Sequence, residues 1–451
     1  MPDDESTLAA GVRPRVHLTP ESGWINDPLG LTWQSGRYHL FVQHVPGQVE
    51  WAPSCHWAHA VSDDLLTWTH RPVALSPGEG DGGVWSGNIV LVDPALPGSV
   101  EPTPQQPARL FYTSVDLADV TIGRIRVATP TDQSWDSWTK GPVVATLPPD
   151  VDAIAFRDPY VFRDGARWRM VVGGGLRDGT AVAWSWVSGD CSEWTFDGEV
   201  ARRPGAERIP VWTGQVWECP LLFPLQDSWV LVFSVWEPWV PHWVGYGVGD
   251  LVDGRFHARA WGRLGFGPSY YASSTFTDAA GRRGLIHWLR GVSDPEGRWS
   301  GAASIPHVLH LDGDHLRARP HPVATSGPVV ATLTPGSRLP LPPACWMEWG
   351  DASDAEAQDR SERQVTVAAA DGSLAFHLVC RADEVVITTP ETSAALPTAG
   401  SGWVGLLIDR LVIEVFSQGG VLAVPIPSHS ALFAQTEESD EIAIRAVGVQ
   451  R

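Results

Sequence analysis

Residues 24–43 read WINDPLGLTWQSGRYHLFVQ: an aromatic residue, a small polar cluster, a short alternating run, a Ser-Gly turn and a second, more apolar run. Alternation with period two marks half-buried strands, and the polar pair between the runs marks a hairpin. The same order returns four times. It opens at Trp85 (WSGNIVLVD, later RLFYTSV), Phe156 (FRDPYVFRDGARWRMVVGG), Trp217 (WECPLLFPLQDSWVLVFSV) and Tyr271 (YASSTFTDAAGRRGLIHWLRG), with successive starts 61, 71, 61 and 54 residues apart. Such a period fits one four-stranded propeller blade with its loops. The longest step holds a Pro-rich insert, Pro94 to Pro107, read as a surface loop. A weaker echo keeps the same phase late in the repeats, at Ser62 to Trp68, Asp132 to Trp138 and Asp190 to Trp194.

Five units of roughly 60 residues cover about 300 residues. The expected fold class is therefore all-β, a five-bladed β-propeller followed by a C-terminal β-sandwich. The propeller is expected over 13–325 and the sandwich over 335–451, where runs such as Leu411 to Phe416 alternate but lose the period. Pro335 and the Pro-rich 339–343 read as the linker.

Composition narrows the function. The chain has 451 residues and a formal net charge of −20, which repels nucleic-acid backbones and anionic membranes, so neither is an expected partner. Five scattered cysteines with no CxxC spacing suggest neither a disulfide framework nor a zinc site. Residues 1–6, Met-Pro-Asp-Asp-Glu-Ser, lack the basic and apolar regions of a secretory leader, and a cytoplasmic protein is expected. The 24 tryptophans are read mostly as core, some as sugar-stacking platforms.

In a propeller the first strand of each blade lines the central channel, so equivalent repeat positions converge. Those positions supply Asn26 and Asp27, Ser86 and Asn88, Arg157 and Asp158, Glu218, and Ser273 and Ser274, with Trp24, Trp51, Trp85 and Trp217 around the rim. Asp27 and Asp158 each precede proline, and an Asx-Pro pair alone is first of all a turn former. Recurrence at one phase of the repeat turns the isolated acids into a cluster. Three carboxylates and a guanidinium at one funnel suit glycoside cleavage, which needs one ionised carboxylate and one proton donor with separated pKa values. A third acid, held ionised by Arg157, would keep Glu218 protonated by like-charge repulsion.

These segments resemble glycoside hydrolase family 32, the invertases, fructan hydrolases and fructosyltransferases. WINDPLG (Trp24 to Gly30) is similar to that family's nucleophile motif, FRDP (Phe156 to Pro159) to its transition-state-stabilising motif and WECP (Trp217 to Pro220) to its acid/base motif. FVQ (Phe41 to Gln43), CHWAHAVSDDLLTW (Cys55 to Trp68), WSG (Trp85 to Gly87) and DRLVIEVFSQGG (Asp409 to Gly420) extend the resemblance. It implies Asp27 as nucleophile, Glu218 as general acid/base and Asp158 as transition-state stabiliser. Asn26, Gln43, Trp51, Trp85, Ser86 and Arg157 would bind the fructosyl unit. No metal or organic cofactor is implied, and the expected partner is a small carbohydrate substrate.

The implied reaction releases fructose from a β-fructofuranoside such as sucrose or a fructooligosaccharide, with retention by double displacement. A fructosyltransferase or difructose-anhydride-processing enzyme of the same family, and a non-catalytic sugar-binding propeller, stay open. The sequence departs from the family pattern at Leu29, Leu221, Gly265 and Ser269, which are expected to alter the rim that reads the leaving group.

Overall fold

The computed structural model describes residues 12–92, 108–350, 362–429, 431–437 and 441–448. The acidic N-terminal hexapeptide and the Pro94 to Pro107 insert lie outside the described residues.

The protein is built almost wholly of strands. Gly23–Gln34, Arg37–Val45, His56–Ser62 and Thr69–Leu75 pair in succession as an antiparallel meander. Its first turn is Ser35-Gly36, both at positive φ (51° and 85°), the backbone that matches the twist of a tight hairpin. Three further runs repeat the plan from Gly83–Leu91, from Ala153–Asp164 and from Val216–Leu225. The fifth, from Tyr270–Thr277, continues through Arg283–Ser293, His307–Asp312 and His315–Pro320. All five aromatic openings therefore fall at or near the start of the first strand of a run.

The runs are not five separate sheets. Trp299–Ala303 pairs with Arg283–Ser293 on one side and, in parallel, with Gly23 and Trp24 on the other, so the last run is fused to the first in a nine-stranded sheet. A bridge from Ile122 to Phe156 likewise joins the second and third runs into eight strands.

Each first strand breaks register at an equivalent place. The shift falls between Ile25 and Pro28, Trp85 and Gly87, Arg157 and Tyr160, Glu218 and Leu221, and Tyr271 and Ser273. Bulges of this kind insert an unpaired residue and re-aim side chains. Asp158, Cys219 and Ala272 sit there at φ of 66°, 47° and 42°, a backbone that costs an L-residue about 1–2 kcal/mol.

Beyond the runs lie a seven-stranded and a six-stranded sheet, whose inner faces, including Met347, Val365, Phe376, Leu406 and Val415, form one apolar core. The seven-stranded sheet takes in Val329–Leu333 and, by parallel pairing with Gly420–Pro425, the two-residue strand Gly265–Phe266. Within the segment read as linker, Leu339 and Pro340 are strand. Arg338–Pro340 pairs with Leu432–Gln435 at the edge of the six-stranded sheet, where proline's missing N–H costs no ladder bond.

One fully buried polar cluster ties these parts together. Asp409 accepts from the backbone N–H groups of Arg15, Val16 and His17 at 2.8–3.2 Å, and His17 Nδ1 lies 2.8 Å from it. His17 Nε2 is 2.7 Å from Glu414, which also receives the Tyr270 hydroxyl and the Ile305 N–H and approaches His307. Burial would lower His17, but its bonds to Asp409 and Glu414 raise it to about 9. Burial would raise Glu414, and its histidine partners hold it well below the usual carboxylate range.

The protonated ring therefore contributes stability that is whole below its unfolded value near 6.5 and is lost as pH rises through about 9. The Glu414 contribution is whole above its ordinary value of 4.5 and is lost as pH falls toward its depressed folded value. Urea titrations of the wild type are expected to lose about 3 kcal/mol between pH 6.5 and pH 9 or slightly above, and His17→Gln to lose that dependence. Parallel pH profiles for the two proteins would refute it.

Candidate active site

The bulges carry the polar side chains to one cavity of about 340 Å³, within the range of roughly 300–1,000 Å³ usual for small-molecule sites. Asn26 and Asp27, Arg157 and Asp158, and Glu218 come from three different runs and all line it, together with Gln43, Trp51 and Trp85. Ser86 stands behind Asp27 and bonds to it. The nine residues singled out in the sequence are thus brought together.

Asp27 is held by a chain of donors. Trp24 Nε1 donates to Asn26 Oδ1 at 3.1 Å, which turns the amide so that Nδ2 donates to Asp27 Oδ1 at 2.9 Å. Asp27 Oδ2 accepts from Ser86 at 2.5 Å and Gln43 at 3.1 Å, with Cys219 Sγ at 3.6 Å. Gln43 and Ser86 also bond to each other. Among the described residues Oδ1 has this one donor, so a second lone pair is left for chemistry. Burial, and the charge of Glu218, raise Asp27 above its ordinary value despite these donors.

Glu218 is gripped from both sides. Its Oε1 accepts from Arg157 Nε and Nη2, each at 2.9 Å, and its Oε2 accepts from the Tyr271 hydroxyl at 2.5 Å. The guanidinium lies over the Trp236 ring, 4.9 Å from its centroid, a geometry that favours a cation on an indole face. Arg157 thus pairs with Glu218, not with its neighbour Asp158 as the sequence suggested. Asp158 instead accepts the Cys219 N–H at 2.9 Å, while its own N–H donates to Thr113 at 2.7 Å. Burial first, then the charges of Glu218 and Asp27, push Asp158 up to about 7 against the pull of Arg157. Asp158 is thus disposed to keep a proton near neutrality, the reverse of the ionised state expected from its neighbour Arg157.

Other residues lie elsewhere than expected. Trp217 is fully buried, stacked on Phe233 at 4.7 Å, and belongs to the core, not the rim. Leu29 packs with Phe41, Trp57 and Ile89, and Leu221 with Phe223 and Val232. Gly265 sits in the joining strand and Ser269 is buried. None of the four departures is on the rim, because each falls beyond or before the bulge that faces the cavity. Leu29, Leu221, Asn88, Ser273 and Ser274 instead line a small void that Asp158 also borders. Asn88 there bridges two runs, donating to the Val161 carbonyl and accepting its N–H, both at 2.9 Å.

The sequence reading missed Tyr271 as a site residue, although it opens the fifth repeat at the same phase as Trp24 and Trp217. It also missed Trp236, Trp239, Pro241 and Trp288, which complete the cavity wall from second and third strands and, for Trp239, from the turn between them.

Comparison with known proteins identifies the family. The model of the glycosyl hydrolases family 32 N-terminal domain matches residues 17–320. A levanase of Bacillus subtilis (strain 168) is 29% identical over 92% of this chain and 66% of its own length. A sucrose-6-phosphate hydrolase of Escherichia coli is 33% identical over 68% of this chain and 64% of its own. The chain thus spans less than two thirds of the length of these relatives. Among solved structures, a β-fructofuranosidase of Bombyx mori superimposes with a TM-score of 0.80, at 23% identity over 99% of this chain and 96% of that one. A fructan 1-exohydrolase of Cichorium intybus gives 0.72, at 21% identity over 96% of each. These superpositions speak to the fold. With the family model covering more than half of the chain and carrying all three acidic motifs within its span, the chain belongs to glycosyl hydrolases family 32.

Proposed function

We propose that the protein is a retaining glycoside hydrolase that releases fructose from small β-fructofuranosides. The observation that carries this is the cavity itself, in which Asp27, with an unused lone pair, and Glu218, held by Arg157 and Tyr271, face one space. In the first step Asp27 attacks the anomeric C2, the C2–O bond to the leaving group breaks, and Glu218 gives its proton to the departing oxygen. In the second, Glu218 takes a proton from water, whose oxygen bonds to C2 as the Asp27 ester bond breaks. Asn26, Gln43, Ser86 and Trp85 would hold the fructosyl unit, and Asp158 would take charge developing on its hydroxyls.

The same reading takes the five runs as five blades of a propeller, 13–325, and the two remaining sheets as a sandwich, 335–451. Support comes from the five bulges at one repeat phase and the pairing of the last run with the first. The test is proton NMR of early turnover of sucrose or a short fructooligosaccharide. β-Fructofuranose is expected as the first product, before mutarotation; α-fructofuranose would require an inverting mechanism. Transfer products at high substrate concentration would mark a fructosyltransferase.

A further inference from the structure

The wall of the cavity outside the fructosyl residues has a composition of its own. Trp24, Trp236, Trp239 and Trp288, with Val120 and Pro241, make it aromatic and apolar. Arg157 is the single cation among the described lining residues, and two of its nitrogens are already bound to Glu218. Nothing else on the described wall offers a positive charge, while three carboxylates face the same space.

Trp239 is the unusual member. Glu237 pairs with Val240, so Pro238 and Trp239 are the whole turn between two strands. Trp239 stands at φ 69°, in the turn position that glycine or asparagine usually fills. A bulky residue there is a genuine outlier, and such strain collects at functional sites. Its side chain is 66% exposed, the largest exposure of any tryptophan, and its edge meets Trp236 at 6.1 Å. Neither core packing nor turn chemistry accounts for an indole at this position. Trp236, on the strand leading into the turn, contacts the Arg157 guanidinium, so the turn continues directly from the machinery around Glu218.

We infer that Trp239 is the platform for the leaving group, and that the site selects neutral β-fructofuranosides whose leaving group offers a flat apolar face while rejecting a phosphorylated one. This rests on the fructosidase reading above. A pyranose presents such a face through its C–H bonds, and an aromatic aglycone presents one through its ring. Phosphate would meet indole faces and carboxylates, with no cation to replace its hydration.

The experiment compares kcat/KM on methyl β-fructofuranoside, sucrose, sucrose phosphorylated at the glucosyl 6-position, and 4-nitrophenyl β-fructofuranoside, in the wild type, Trp239→Ala and Trp239→Phe. Phosphorylation is expected to lower kcat/KM by about tenfold or more. Trp239→Ala is expected to cut the ratio of sucrose or nitrophenyl fructoside to methyl fructoside about five- to tenfold, and Trp239→Phe to restore most of it. Loss with sucrose identifies a glycosyl leaving group, and loss with the nitrophenyl compound an aromatic one; either supports the platform. An unmoved ratio, or faster turnover of the phosphorylated sugar, overturns it. Wild-type turnover of methyl fructoside separates the two readings, since its absence along with every other turnover overturns the fructosidase assignment itself.

Discussion

Asp27→Asn is expected to abolish fructose release from every substrate, by about 10⁴- to 10⁶-fold, as removal of a covalent nucleophile does elsewhere. The amide keeps the size and shape of the side chain, and its oxygen can still accept from Ser86 and Gln43, but it has no charge to form the ester with C2. The fold should gain from the change. Burial and Glu218 raise Asp27 above its ordinary value, so above that value the ionised form costs the native state stability, and a neutral amide relieves the cost. A dead enzyme with a higher melting temperature is the predicted pair of results, read by a fructose assay and thermal unfolding. Retention of more than a few per cent of activity would remove Asp27 from the mechanism.

The second large effect depends on the leaving group. Glu218→Gln is expected to slow sucrose cleavage by about 10²- to 10⁴-fold, the usual worth of a positioned acid. With 4-nitrophenyl β-fructofuranoside, nitrophenolate departs with little help from a proton, so the first step is nearly spared. The second step still lacks its base. The fructosyl ester on Asp27 should then accumulate, and stopped-flow absorbance should show a burst of nitrophenolate equal to the enzyme concentration, followed by slow steady release. Equal losses with both substrates and no burst would mean that Glu218 does not carry the proton.

Much of this site could be read from the chain because the repeat phase is written in aromatic residues. Trp24, Trp85, Phe156, Trp217 and Tyr271 open the five runs, and in the first four the polar residues that follow lie in or beside the bulge. The bulges themselves were not anticipated, since register depends on the partner strand. A signal did exist, because Pro28, Pro159 and Pro220 remove the ladder N–H at that phase and make a skipped pair inexpensive. The misplaced partner of Arg157 has a similar origin. Nearness along the chain suggested Asp158, but the bulge turns both side chains to one cavity and the guanidinium reaches Glu218, at the equivalent position of the next repeat. Leu29 and Leu221 were assigned to the rim by motif position alone, without allowing for the alternation that the bulge resets. Trp239 lay in a hairpin turn whose sequence, Pro-Trp, carries a turn signal but nothing that marks its direction.

The parallel pairing of Gly23 and Trp24 with Trp299 and Ser300 also sets the order of events during synthesis. The strand bearing Asp27 leaves the ribosome early, yet its outer neighbour arrives only when the fifth run has been made. Contacts so far apart in sequence close slowly and late. The strand bearing Asp27 must therefore wait with one edge unpaired, open to wrong partners, so the pairing of the last run with the first is also the step that completes the cavity.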